Sequence, residues 1–132
     1  TRTDSSAASD VYKRQDYCTA GVEPERVMYA PIPAINTLLE RANMQVLDID
    51  IYEHNEAFAS ASCAIAKEIG IPTDRFNLHG GAVALGHPLG SSGTRCLITL
   101  LGVMRRKRAK SGIVTLCLGG GNAVALRVSM NN

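Results

Sequence analysis

The sequence predicts an α/β fold: a mixed sheet covered by helices and ending in a hairpin. Three observations carry that prediction. A β-branched run at 113–118 is followed by three consecutive glycines and then by an alternating run at 123–130. Upstream, segments of helical period alternate with extended ones. Of the 132 residues 45% are apolar, enough for the core of one domain.

Residues 1–15 have no apolar period, and 10–15 look like the translation of a sequencing-adapter end. This segment is read as a sequencing or assembly scar, disordered and without function, which leaves 16–132 as one domain. Residues 16–30 are weakly patterned. After Pro31-Ile32-Pro33, residues 34–42 read as a short amphipathic helix with Ile35, Leu38 and Leu39 inward. Residues 46–52 alternate around Asp48 and Asp50 and read as a strand. The Ala-rich 56–69 reads as a buried helix stopped by Gly70 and Pro72. Residues 75–78 suggest a short strand, and 80–90 a glycine-rich loop. Ser91 or Ser92 caps a long helix running to about Lys110. A strand at 113–118, a tight Gly119-Gly120-Gly121 connection and a last strand at 123–130 complete the chain.

The bulk properties exclude several classes. A formal net charge of +2 leaves no nucleic-acid footprint. Charged residues interrupt every apolar stretch before it could cross a bilayer, so no membrane role is expected. No secretory signal is visible at the start. The four cysteines, Cys18, Cys63, Cys96 and Cys117, form no CxxC pair and read as reduced thiols of a cytoplasmic protein.

Candidate chemistry gathers in three segments. Cys117 ends an apolar strand and meets the triple glycine, where a backbone could closely approach something bound. A thiol there can give or take a proton once its neighbours tune it. The alternative is a buried strand cysteine acting as a small hydrophobe. His87 lies between Gly86 and Pro88, which hold its backbone and remove bulk beside it. Such an imidazole can activate a thiol or donate to a thioester oxygen, whereas its plain alternative is a surface loop histidine. Asn55 reads either as an N-cap of the helix beginning at Glu56 or as an amide holding a water or a substrate oxygen. Glu56 suits the first helical turn, and Phe58 suits a core or a pocket wall. Cys63 reads as mid-helix and buried, and Cys96 as lying inside the long helix. His54 and His79 complete no zinc spacing, so no metal is expected. No GxGxxG or Lys-Ser/Thr phosphate loop is present. The basic run 105–110 falls at a helix C-terminus, where cations are favoured, although a nucleotide phosphate contact is a second reading.

The segments Asn55-Glu56-Ala57-Phe58-Ala59, Gly80 to Gly93 around His87, and Cys117-Leu118-Gly119-Gly120-Gly121 stand in the order of the thiolase family. From about Pro31 to Met130 the chain resembles the C-terminal half of a thiolase. The resemblance implies the second half of a layered αβαβα fold. It also implies an acyltransferase of the acetyl-CoA acetyltransferase or 3-ketoacyl-CoA thiolase type, acting in fatty acid metabolism. Such enzymes join acyl groups to acetyl-CoA by Claisen condensation or cleave 3-ketoacyl-CoA by thiolysis. Carried over by motif, His87 activates the nucleophile and helps bind a thioester oxygen, and Asn55 positions a water in that same oxyanion site. Cys117 is the acid/base at the acetyl methyl group, and Gly119 donates its backbone N–H to a second oxyanion hole. Phe58 borders the substrate. The family's nucleophile has no counterpart among these cysteines, so the isolated chain is expected to be inactive. Coenzyme A thioesters are the expected partners, as substrate with no separate cofactor, and the full-length protein is expected to be a homo-oligomer. A non-catalytic acyl-CoA-binding or scaffold module with this fold, or a subunit of a synthase complex, is the alternative.

Overall fold

A computed structural model describes residues 13–130. Residues 1–12, most of the segment read as a scar, lie outside the described residues. Strand β1 spans Lys13–Gly21, so its backbone takes in the last three residues of that segment. Helix α1 is Pro31–Ala42, strand β2 Ile51–His54 and helix α2 Ala59–Ile69. Helix α3 is Ser92–Lys107, followed by strands β3, Ser111–Leu118, and β4, Asn122–Ser129. The sheet order is β1-β4-β3-β2. Within this order the β2–β3 pair is parallel, with His54 opposite Thr115. The β3–β4 hairpin and the β1–β4 pair are antiparallel. The mixed sheet and terminal hairpin therefore follow the expectation.

Three local readings are corrected. The weakly patterned 16–30 contains β1 and a 3-10 segment, Pro24–Tyr29. Strand β1 hides because its alternation is carried by small or polar side chains: Cys18 is buried while Tyr17 and Thr19 face out. The expected strand at 46–52 begins only at Ile51. Ahead of it Val46–Asp48 winds into a 3-10 turn, because the Asp48 carboxylate accepts the Gln45 N–H at 2.7 Å. The strand suggested at 75–78 reduces to one parallel bridge, Tyr52 to Phe76, after a 3-10 turn at Thr73–Arg75.

Helices cover both faces of the sheet. On one face α1 lies over β1, β4 and β3. Pro31 opens α1, where a missing N–H is harmless. Ile35, Leu38 and Leu39 then meet Tyr52, Ile65, Ile113 and Ala125. On the other face α3 lies over β3 and β2, and Leu100, Val103 and Met104 meet Ile51, Val114 and Val128. Burying each such side chain fully contributes roughly 1.5–3 kcal/mol. Gly112 permits that contact, since a Cβ there would sit 2.6 Å from Met104 Sδ. Between α3 and the β3–β4 hairpin, Leu97, Leu116, Val124 and Leu126 line an apolar groove of about 260 Å³.

Candidate active site

The site forms at the C-terminal ends of β2 and β3, beside the first turn of α3. Asn55 follows β2 directly, and its N–H donates to Thr115 O at 3.1 Å, which extends the parallel pairing. Glu56 then adopts a left-handed φ of 58° and turns the chain away, so α2 starts only at Ala59. Asn55 is thus not a helix N-cap, and Glu56 is not in a first helical turn. The Asn55 carbonyl accepts the Ala82 N–H at 2.8 Å, tying the glycine-rich loop to the strand end. Within that loop Ala82–Leu85 forms one helical turn, after which the chain presents His87.

Asn55 and His87 come together. Asn55 Nδ2 lies 3.4 Å from His87 Nδ1 and 3.3 Å from Nε2, and so stands between the ring nitrogens. His87 Nδ1 is 2.6 Å from Ser92 Oγ. That hydroxyl donates its one proton to Pro88 O at 3.1 Å. It can therefore only accept from His87, and the network assigns Nδ1–H with the lone pair on Nε2. The Asn55 amide is assigned in the same way. Arg95 Nη2 donates to Asn55 Oδ1 at 2.8 Å and to Asn55 O at 3.0 Å. Cys96 Sγ donates to the same Oδ1 at 3.5 Å. Donors hold the oxygen, so the amide nitrogen faces the imidazole.

Beneath this pair lie two buried ionisable groups. Glu53 Oε1 accepts Arg95 Nη1 at 3.2 Å, while Oε2 is buried without a partner. Burial pushes the Glu53 carboxyl up to about 8 against the opposing pull of Arg95. His54 Nδ1 accepts from Ser62 Oγ at 2.7 Å and from the Glu56 N–H at 3.3 Å. Its proton is therefore on Nε2, also buried and unpartnered. Burial first, and the Arg95 charge second, pull His54 down to about 4, so it is a neutral core histidine.

The other expected residues share the same end of the sheet. Cys117 lies two positions beyond Thr115 on β3, half-buried, with burial raising its thiol above the usual range. Among the described residues no hydrogen bond joins Cys117 to Asn55 or His87. Gly119 follows the end of β3, is exposed, and has open space where a Cβ would stand. Phe58 precedes α2 and is 56% exposed, so it is free to border a ligand rather than fill the core.

The triple glycine needs less of a ligand than its sequence suggested. Gly121 has a φ of 87°, and a Cβ there would collide with the Val22 carbonyl. Its own carbonyl accepts the Val22 N–H at 2.8 Å. The close approach at that glycine is to the chain itself. Cys63, expected to be buried, is exposed, because α2 turns Ala61, Ser62 and Ile65 inward. The basic run ends α3. Its start lies about 20 Å along the helix from Ser92 at 1.5 Å per residue, remote from this site.

Sequence reasoning missed Ser92, Arg95 and Glu53 as site residues. A signal existed. Ser92, Arg95 and Cys96 have the spacing of one helix face, directly after the histidine loop. Glu53 and Asn55 share one face of a strand.

A family model described as "Thiolase, C-terminal domain" matches residues 10–130. Acetyl-CoA acetyltransferase of Chromobacterium violaceum is 49% identical over 112 residues, which cover 85% of this chain and 29% of that protein. The cytosolic acetyl-CoA acetyltransferase of Rattus norvegicus is 49% identical over 109 residues, 83% of this chain and 28% of that protein. The crystal structure of the Bacillus anthracis acetyl-CoA acetyltransferase superposes with a TM-score of 0.87 at 37% identity, covering 90% of this chain and 30% of that one. The chain thus spans less than a third of the length of these relatives.

Proposed function

The chain belongs to the thiolase family, as its C-terminal domain, and from that premise we propose that it carries the imidazole, the acid/base thiol and the oxyanion donors of an acetyl-CoA acetyltransferase. The reaction is acyl transfer to acetyl-CoA by Claisen condensation, or thiolysis of a 3-ketoacyl-CoA in reverse. The relatives' names support the acetyl-CoA acetyltransferase type.

The observation that carries the reading is the oriented pair Asn55–His87. With Nδ1–H bonded to Ser92, His87 offers Nε2 as the base that takes a thiol proton. That thiol is the nucleophilic cysteine of a part of the parent protein not included in this chain. The Asn55 amide, its donor end toward the imidazole, holds a water or a thioester oxygen as negative charge develops. Cys117 exchanges the proton of the acetyl methyl group. Burial keeps it a thiol, the form that returns a proton to the departing carbanion during thiolysis. The Gly119 N–H completes a second oxyanion site and Phe58 borders the acyl-CoA. Coenzyme A enters as a thioester substrate, and the reaction requires no further cofactor or metal.

The rest of the parent seats against the apolar groove beside α3 and the exposed Ile98. The isolated chain is inactive, and the full-length enzyme is a homo-oligomer. A cytoplasmic location fits its free thiols and the cytosolic rat relative. No helix among the described residues is long and apolar enough to cross a membrane.

The test uses this chain joined to the preceding part of its parent. Cys117→Ser still forms the acyl-enzyme but loses condensation by about 10²–10⁴-fold, the scale of general acid–base catalysis. His87→Ala fails already at acylation. Normal condensation in the first variant, or normal acylation in the second, would overturn the assignments.

A further inference from the structure

We propose that Arg95, itself held by Glu53, is the positioning residue that fixes which end of the Asn55 amide faces His87. The inference rests on the reading of Asn55 and His87 as the reacting pair and adds residues to it. An asparagine side chain is nearly symmetric in shape, but its two ends have opposite hydrogen-bonding character. With Nδ2 on the imidazole side, Asn55 turns its N–H donors toward an oxygen bound beside the pair. Flipped, it would present Oδ1 and repel a developing oxyanion. Only donors select the orientation: Arg95 Nη2 at 2.8 Å from Oδ1, and the weaker Cys96 thiol at 3.5 Å.

The guanidinium is itself immobilised. Nη2 also reaches the Asn55 carbonyl at 3.0 Å, and Nη1 reaches Glu53 Oε1 at 3.2 Å. Glu53 and Asn55, two residues apart on one face of the strand end, thus present three oxygens to one planar fork. A lysine has the charge but not the fork, so it cannot satisfy all three. Ser92, Arg95 and Cys96 occupy one face of α3, so the same helix turn orients His87 and Asn55 together.

NMR of this chain tests the proposal without any activity. A nuclear Overhauser effect is expected between the Asn55 Nδ2 protons and His87 Hε1, the ring proton between the two nitrogens. Arg95→Lys is expected to abolish it with the backbone spectrum otherwise preserved. Glu53→Gln, which keeps the acceptor, is expected to retain it. Persistence of the effect in Arg95→Lys would overturn the proposal. If that variant does not fold, the unmodified chain decides: immobilised Arg95 gives separate, slowly exchanging Nη resonances, and averaged ones would overturn it. In the joined enzyme, Arg95→Lys is expected to lower kcat with KM little changed, by up to about 10²-fold for a misplacement of about 1 Å. A chain with the expected NMR behaviour whose joined enzyme shows no thiolysis would keep this inference and sink the functional reading.

Discussion

Replacing Glu53 by Gln should remove a loss of stability that the chain suffers between pH 6.5 and pH 8. Burial raises Glu53 from 4.5 to about 8 in the native state. The folded chain therefore keeps a proton that the unfolded chain has lost. A carboxyl raised in this way stabilises the fold below 4.5, and that stability disappears as pH rises through 8. His54 acts in the opposite sense. Lowered from 6.5 to about 4, it contributes stability above 6.5 that is lost as pH falls through 4. The two slopes oppose each other between 4.5 and 6.5. Above 6.5 Glu53 acts alone among the shifted groups of the described residues, since Asp50 is lowered from an already acidic 3.8 while Cys96 and Cys117 are raised from 9.0 and Tyr52 from 10.0. One proton at about 1.4 kcal/mol per pH unit gives about 2 kcal/mol lost from pH 6.5 to pH 8. At a urea m-value of roughly 2 kcal/mol/M, the unfolding midpoint should fall by about 1 M. Glu53→Gln keeps the shape and an acceptor for Arg95 but cannot titrate, so its midpoint should stay level. Equal midpoints for the unmodified chain at both pH values, or the same fall in the variant, would refute the reasoning.

Other consequences are structural or local to the site. Leu100 is fully buried between α3 and the sheet, so Leu100→Ala should destabilise by about 2–5 kcal/mol; a change below about 1 kcal/mol in urea unfolding would contradict the packing. Gly121→Ala places a Cβ against the Val22 carbonyl at a left-handed φ, and should cost at least about 1 kcal/mol by the same assay. Ser92→Ala removes the acceptor of the His87 Nδ1–H, so 15N shifts of His87 should show a mixed tautomer population; an unchanged Nδ1–H tautomer would count against Ser92 as its anchor.

What was legible in the sequence is what local chemistry dictates. The β3–β4 hairpin was readable because β-branched residues, three glycines and a second alternating run are consecutive. Helix α3 was readable, although it ends at Lys107 rather than about Lys110 and no serine side chain caps it, since the Ser91 and Ser92 hydroxyls donate to Pro88 O instead. Strand β1 was not, because an edge strand needs few large apolar residues and its partner β4 lies about a hundred residues away. The onset of β2 was misplaced because a side-chain-to-backbone bond, Asp48 to Gln45, competes with the extended form. At the site, His87, Cys117 and Asn55 stood out through their glycine or strand-end settings and the resemblance those motifs carry. Arg95 and Glu53 did not, because an arginine on a helix and a glutamate on a strand are ordinary until α3 packs on β2 and brings them to 3.2 Å. Cys63 was misjudged for a related reason: an Ala-rich helix has no strong polar face, so its sequence does not say which side turns inward.

The most direct test of the central claim is cleavage of acetoacetyl-CoA by coenzyme A, catalysed by this chain joined to the preceding part of its parent protein. The joined protein is expected to show thiolysis, the chain alone none, and the joined Cys117→Ser variant none. A folded joined protein with an intact upstream cysteine and no thiolysis would contradict the claim and favour a binding or scaffold role for the same fold.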